Sequence, residues 1–302
     1  MNWILILFAG FFFLLLFVSI INSVTRTATT TDEVVLVSRI TNTIEQTRAA
    51  PGTSYTVELR NLEASCTDTF NLEFSNRIEQ LRGHPIFSQR NLDGTTVLFS
   101  EQLRINKPYT TMTYLYTKDT TLYISEALNP ALRAFLNNRF DDVRTFSSAP
   151  NSFSGRKTIV LFDGDTSALP IPQPSRNQDL RIFNITSNQE QGLITLPEGA
   201  TIAYPSQEFF LGAIISDDEA SYACALRLAE QRIKFTAKIL EERARIINES
   251  INRCNEQYTL AINEFQDLRN NLDLSEQNAL ISHRTNLRNI NTRLAANNCP
   301  QV

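Results

Sequence analysis

The residues best able to do chemistry in this chain are its four cysteines, Cys66, Cys224, Cys254 and Cys299. No two of them form a C-x-x-C pair, and the chain has only 2 histidines, so the closely spaced ligands of a structural zinc site are missing. An even number of separated cysteines is typical of disulfides in an oxidising compartment. We therefore predict two disulfides and no metal site, with four buried thiols in a cytosolic domain as the alternative.

The pairing of these cysteines is only partly constrained, because four cysteines allow three connectivities. If the C-terminal helical region folds back near Asp273, Cys299 comes opposite a stretch about two turns from Cys254. This favours Cys254–Cys299 and leaves Cys66 to join Cys224, and the other pairings stay open.

Other candidate modification and catalytic side chains are few. Two N-x-S/T sequons begin at Asn184 and Asn248 and permit glycosylation outside the cell. His84 lies between a glycine and a proline, which predicts a loop, and His283 falls on an apolar helical stripe, where we expect it to be packed. No serine or cysteine nucleophile has an assignable histidine partner.

An apolar stretch at residues 158–162 ends in an Asp-Gly-Asp sequence at Asp163 and Asp165. It resembles the first motif of haloacid-dehalogenase-type phosphatases, although Ser167 stands where that family has threonine. The resemblance implies that Asp163 attacks phosphorus, that Asp165 handles the leaving group and that Mg²⁺ neutralises the phosphate. The simpler interpretation, which we favour, is a strand that runs into an Asp-Gly turn. We therefore assign no catalytic residue and no cofactor.

The elements that would position these residues follow an uncharged apolar run at residues 3–21. As a helix this run is about 28 Å long, close to the ~30 Å hydrocarbon core of a bilayer. A cleaved signal peptide is the alternative, but the run is long and has no basic residue before it. We predict an uncleaved signal anchor over residues 1–24 with the bulk of the chain outside the cytoplasm.

A hydrophobic N-terminal helix that leads into an amphipathic helix and then a β-rich region resembles a type IV pilin. The resemblance implies a filament subunit. That family has a charged leader and a glutamate at the fifth mature position, whereas the first acidic residue here is Asp32.

Composition excludes some partners. The formal charge of −4 gives no basic field for nucleic acid. Only 9 glycines are present, which disfavours glycine-rich phosphate-binding loops.

Capping and periodicity predict the elements of the middle region. Thr30 and Glu33 form a capping box for a helix at 31–49, Pro51-Gly52 ends it, and Asn129-Pro130 begins another helix that runs to about Phe140. Asp93-Gly94 marks a turn and Lys118-Asp119 a hairpin. The predicted strands are 55–59, 70–74, 95–100, 112–116, 121–125, 157–162, 180–185, 193–196, 201–204 and 209–215. The first half of this middle region shows no βαβ alternation, so we expect a mixed or antiparallel sheet.

The last 85 or so residues show helical periodicity. A capping box at Ser216–Glu219 opens a long predicted helix, in which apolar residues recur every three or four positions as far as Leu272. Ser275 is predicted to cap a second helix, which carries His283 on its apolar face. A short connection folds two such helices into an antiparallel hairpin. We favour packing of these apolar faces on each other and on the sheet over an oligomer-forming coiled coil.

Together these patterns predict an α+β fold with an N-terminal transmembrane helix, a mixed or antiparallel sheet domain and a long C-terminal antiparallel α-hairpin. The segments are an anchor at 1–24, a connector and amphipathic helix at 25–50, an extracytoplasmic α+β domain at 51–215 and the α-hairpin at 216–302. We expect a single-pass surface or envelope protein whose partners are the bilayer, through residues 3–21, and a protein partner or a second copy, through the C-terminal helices. The alternatives are a pilin-like filament subunit and an anchored phosphohydrolase that uses Asp163 and Asp165.

Overall fold

The computed structural model describes residues 34–74, 77–148, 152–163, 179–186 and 191–302. The predicted anchor, the predicted cap at Thr30 and Asp165 lie outside these ranges. Within them, no helix combines the length and the apolar character needed to cross a bilayer. Residues 46–302 form one compact unit, and the described residues 34–45 belong to another.

The fold is of the α+β class, and its described residues form two mixed sheets and six helices. Within the described residues, helix α1 covers 34–49 and ends in a turn at 50–52, as Pro51-Gly52 predicts. Gly52 donates its backbone N–H to the carbonyl of Ser100 over 2.8 Å, and the Ser100 hydroxyl donates to the carbonyl of Thr47 over 2.6 Å. These bonds tie the end of α1 to the first sheet.

The first sheet has the strand order β3-β2-β1-β5-β6-β4. Every pair is antiparallel except β4 with β6, which run parallel. Its strands are β1 (Ser54–Cys66), β2 (Phe70–Phe74), β3 (Arg77–Leu81), β4 (Ile86–Ser88), β5 (Asn91–Arg104) and β6 (Pro108–Thr117).

Asp93 and Gly94 lie inside β5, so the predicted turn there is wrong. The register between β1 and β5 shifts between Leu59 and Leu62, where Asn61 and Gly94 both have positive φ. The Asp-Gly signal therefore marks a bulge inside a long strand pair, where glycine accommodates a left-handed backbone without steric cost.

The second sheet has the order β12-β11-β10-β9-β7-β8, with β10, β9, β7 and β8 parallel to their neighbours in that group. Its strands are β7 (Thr120–Ser125), β8 (Asp142–Phe146), β9 (Lys157–Asp163), β10 (Asp179–Ile185), β11 (Gly192–Thr195) and β12 (Thr201–Tyr204).

A βαβ unit, β7–α2–β8, lies in the part of the chain where the sequence predicted none. Helix α2 (Pro130–Asn137) has the predicted cap, because the Asn129 side chain accepts from the backbone N–H of Ala131 over 2.8 Å. The sequence did not predict β8. It is an edge strand whose residues are only half-buried or exposed and therefore show no apolar alternation.

The predicted hairpin at Lys118-Asp119 is also wrong, because β6 pairs within the first sheet and β7 within the second. The buried Gln89 connects the two sheets where the chain passes from β6 to β7. Its side-chain oxygen accepts from the backbone N–H of Thr117 over 3.0 Å and from Lys157 Nζ over 2.9 Å, and its amide donates to Thr120 Oγ1 over 3.2 Å. One side chain thus satisfies polar groups from both sheets.

Helix α3 (Gln207–Ile215) replaces the predicted strand at 209–215. Each residue from Phe209 to Ile215 is buried, and a continuous apolar run of this length suits a buried helix as well as a buried strand. A Cβ at Gly212 would lie 2.5 Å from the ring of Phe87 on β4, so glycine allows close approach to the first sheet.

The C-terminal region contains three helices, not the two predicted. Helix α4 (Glu219–Ser250) is followed by a 3-10 turn (Asn252–Cys254), α5 (Asn255–Asn271) and α6 (Ile281–Ala296). The predicted long helix folds back at the turn, and its regular apolar spacing continues across the break. The predicted buried face is confirmed, since its residues pack into the core from Tyr222 to Leu294.

Two predicted helix caps are corrected. Asp218, and not Ser216, caps α4 by accepting from the backbone N–H of Ser221 over 2.7 Å. Ser275 lies before α6, where its hydroxyl donates to Asp273 over 2.6 Å, and α6 begins only at Ile281.

Candidate functional site

All four cysteines are paired, as Cys66–Cys224 and Cys254–Cys299, which is the favoured pairing. The first bond joins the end of β1 to the first turns of α4, and the second joins the start of α5 to the segment after α6. They close loops of 158 and 45 residues, and chain entropy alone assigns such loops about 5 and about 4 kcal/mol of stabilisation. The helices are therefore linked covalently to the first sheet and to one another.

A buried carboxylate aligns α4 with α5. Glu241 is only 3% exposed, and it accepts from Arg245 Nη2 over 2.5 Å and from Gln266 Nε2 over 2.9 Å through Oε1. Its Oε2 accepts from Arg269 Nη1 over 2.7 Å. Because an unpaired buried charge is costly, these partners hold one register between two antiparallel helices.

The face of α4 that points away from the core and from Glu241 carries an apolar stripe, formed by Phe235, Ile239 and Ile246. Their spacing of four and seven residues places them on one side of a helix, and they are 57%, 53% and 59% exposed. Charged residues interrupt and flank the stripe, among them Lys238, Glu242 and Arg243. Large apolar side chains in such a row are typical of a contact surface.

This apolar stripe was missed in the sequence, although a signal for it existed. The predicted buried face includes Ile233, Thr236 and Leu240. Phe235 and Ile239 each directly precede one of these residues in the sequence, but they lie on the other side of the helix. A helix with one core face needs no second apolar row, so Phe235 and Ile239 were the residues to notice.

One group of side chains among the described residues could hold a metal ion: Glu264 and Asp267 on α5 with His283 on α6. His283 was predicted to be packed, and it is buried, but its Nδ1 lies 2.6 Å from Glu264 Oε1. The sequence could not reveal this group, because the turn between α5 and α6 is what brings the two helices together.

The region around Asp163 has fewer features of a metal or catalytic site than the group at Glu264, Asp267 and His283. Asp163 ends β9, and β7 and β10 run parallel on either side of that strand. Burial raises the pKa of Tyr204, and the charge of Asp163 raises it further. Asp165 and Ser167 fall in a part of the chain that is not described, and no three-residue metal-ligating group within the described ranges includes Asp163.

The buried Arg181 forms an ion pair with the half-buried Asp217, with 3.1 Å between Arg181 Nη1 and Asp217 Oδ1. The same guanidinium donates to the backbone carbonyls of Ile214 and Ser216 at the end of α3. Burial raises the pKa of Asp217, and Arg181 opposes that rise. Arg181 thus satisfies carbonyls at the end of α3 and joins β10 to the segment between α3 and α4, so the pair has a structural role.

The two sequons lie in different surroundings. Asn184 is half-buried inside β10, between β9 and β11, and Asn248 is half-buried near the end of α4. Glycosylation at either residue stays a prediction.

No protein-family model, curated protein or solved structure matches this chain. No family is therefore assigned, and its function has to be inferred from its own residues and their geometry.

We expect Glu241→Ala to lower the free energy of unfolding by about 2 kcal/mol, because it removes the charged acceptor that Arg245, Gln266 and Arg269 share, while both arginines stay partly exposed to water. Glu242→Ala is the matched control, since its exposed neighbouring carboxylate should change stability by no more than about 0.5 kcal/mol. Chemical denaturation of the two variants measures both values. Equal losses would mean that Glu241 does not align the helices.

Proposed function

We propose that this chain is a single-pass, membrane-anchored surface or envelope protein that acts through protein–protein contacts outside the cytoplasm. The observation that carries the proposal is the pairing of every cysteine into a disulfide. Structural disulfides form and persist in oxidising compartments and are rare where cellular reductants keep thiols reduced.

The proposed anchor is the apolar run at residues 3–21. Its length matches the hydrocarbon thickness of a bilayer, and no charged side chain interrupts it. An anchor that places the rest of the chain in an oxidising compartment agrees with two disulfides in the following domain.

The proposed contact surface is the stripe of Phe235, Ile239 and Ile246 on α4. Interfaces combine an apolar centre with a polar rim, and Lys238 and Glu242 supply charge beside this stripe. The Glu241 network joins α4 to α5, and the Cys66–Cys224 disulfide joins α4 to β1. The stripe therefore lies on a helix that is held in place from its inner side.

Membrane anchorage and an oxidising location can be tested together on the full chain in its host. We expect the protein to stay in the membrane after carbonate washing, because residues 3–21 lie in the bilayer. Maleimide-polyethylene glycol should label no thiol without reductant, and four after reduction, because all four cysteines are paired. Four labelled thiols in freshly lysed, unreduced cells would overturn the proposed location.

The contact surface predicts a specific loss of assembly. Substitution of Phe235, Ile239 and Ile246 by serine should abolish a complex seen on native gels of detergent-solubilised membranes, because it removes the apolar centre. Replacement of Glu256 on α5 and of Thr285 and Arg288 on α6 by serine is the control and should leave the complex in place, because these exposed side chains lie on other helices. Sedimentation of the purified chain then distinguishes self-association from a different partner, and a complex that survives the first substitution refutes this surface.

A second candidate, an anchored phosphohydrolase, is favoured by one observation. Asp163 ends a strand flanked by parallel strands, and open parallel sheets bind ligands beyond the carboxyl ends of their strands. The first candidate ranks higher because Asp163 belongs to no group of metal-ligating side chains within the described part of the chain.

This candidate predicts that the full chain hydrolyses a simple phosphate monoester in the presence of Mg²⁺. Asp163→Asn should abolish that activity because an amide cannot act as the nucleophile. Asp179→Asn is a control on the neighbouring strand and should retain it. Unchanged hydrolysis in the Asp163 variant would eliminate this candidate.

A further inference from the structure

We propose that Glu264, Asp267 and His283 bind a divalent transition-metal ion, best matched by zinc, that clamps α6 onto α5. This site goes beyond the proposed function and does not depend on it. Nothing in the contact surface on α4 or in the anchor requires a metal.

The geometry brings together three side chains that can bind zinc, two carboxylates and one imidazole. One ligand atom from each residue lies within 4.8 Å of the others, and His283 Nδ1 is 2.6 Å from Glu264 Oε1. Two ligands bound to zinc at about 2.0–2.1 Å lie about 3.3 Å apart, so the ion would need shifts of only about an ångström in flexible side chains.

The ligands are oriented by outer hydrogen bonds, as they are in established metal sites. Asn286 Nδ2 donates to Glu264 Oε2 over 3.0 Å, and Asn271 Nδ2 donates to Asp267 Oδ1 over 2.6 Å. The imidazole is nearly buried, with its side chain 8% exposed, and the Glu264 side chain is 12% exposed. Only Asp267 is open to solvent.

Solvent reaches the group from two sides. A cleft of about 480 Å³ is lined by Glu264 and Asp267, and a second cleft of about 590 Å³ is lined by Asp267 and His283. An ion can therefore enter without unfolding the helices, and the position left by three protein ligands faces water.

The donor set decides the class of ion. Imidazole suits zinc and similar transition metals, whereas calcium and magnesium prefer oxygen donors alone. With all four cysteines in disulfides, no thiolate competes for zinc. The alternative is that His283 and Glu264 form only a hydrogen-bonded pair.

Isothermal titration of the full, detergent-solubilised and oxidised chain with zinc chloride tests the site. We expect one zinc per chain, and affinity about tenfold or more weaker in His283→Gln. His84→Gln is the control, because His84 is the only other histidine. Equal affinity in the His283 and His84 variants, or no zinc binding by the native chain, would overturn the proposal.

Two substitutions of exposed carboxylates on α5 test the site if His283→Gln does not fold. Asp267→Asn changes an exposed side chain and should also weaken zinc binding, whereas Glu256→Gln on the same helix should not. Zinc should raise the melting temperature of the native chain but not that of Asp267→Asn. Calcium that displaces zinc at equal concentration would refute the transition-metal assignment.

Discussion

Helix α3 has no polar face, and the fold depends on covering it from every side. Strands β4 and β6 contact it from the first sheet, β12 from the second, and α2 and α4 from the helices. Gly212 lets the ring of Phe87 approach the helix backbone, and Phe87 also lies against Tyr114 and Tyr222. A helix that is apolar all round must be buried, so the two sheets and the helical region share one core.

Polar groups then specify how the elements around this core are arranged. Gln89 satisfies groups from both sheets, Arg181 serves the end of α3, and Glu241 aligns α4 with α5. Each is buried, and each would be costly to leave unpaired. Apolar burial therefore supplies most of the stability, whereas these groups disfavour alternative registers and sheet pairings.

The two surfaces proposed to act lie on helices held in this way. The stripe on α4 is on the solvent side of a helix whose inner side is tied to α5 and to β1. The group formed by Glu264, Asp267 and His283 lies where α6 meets α5. The turn at 252–254 makes α5 antiparallel to α4 and so supports the stripe, whereas the group depends on the turn between α5 and α6.

Several elements were predictable because their signals are local. The strand at 70–74, the cap at Asn129 and the buried face of α4 each follow from alternation, capping or helical spacing within a few residues. The disulfide pairing was favoured because a helical region that folds back near Asp273 brings Cys299 towards Cys254, which leaves Cys66 for Cys224. The edge strand β8 and the helix α3 failed for the opposite reason, since neither has a local pattern that distinguishes it.

The sequence by itself determined the class of the fold, the apolar run at 3–21 and which face of α4 is buried, and it favoured two disulfides over free thiols. Only the tertiary structure decided that β6 and β7 enter different sheets, that α4 and α5 are separate helices and that His283 meets Glu264. These features depend on contacts between residues far apart in sequence, where the energy of packing and of satisfying buried polar groups outweighs local propensity.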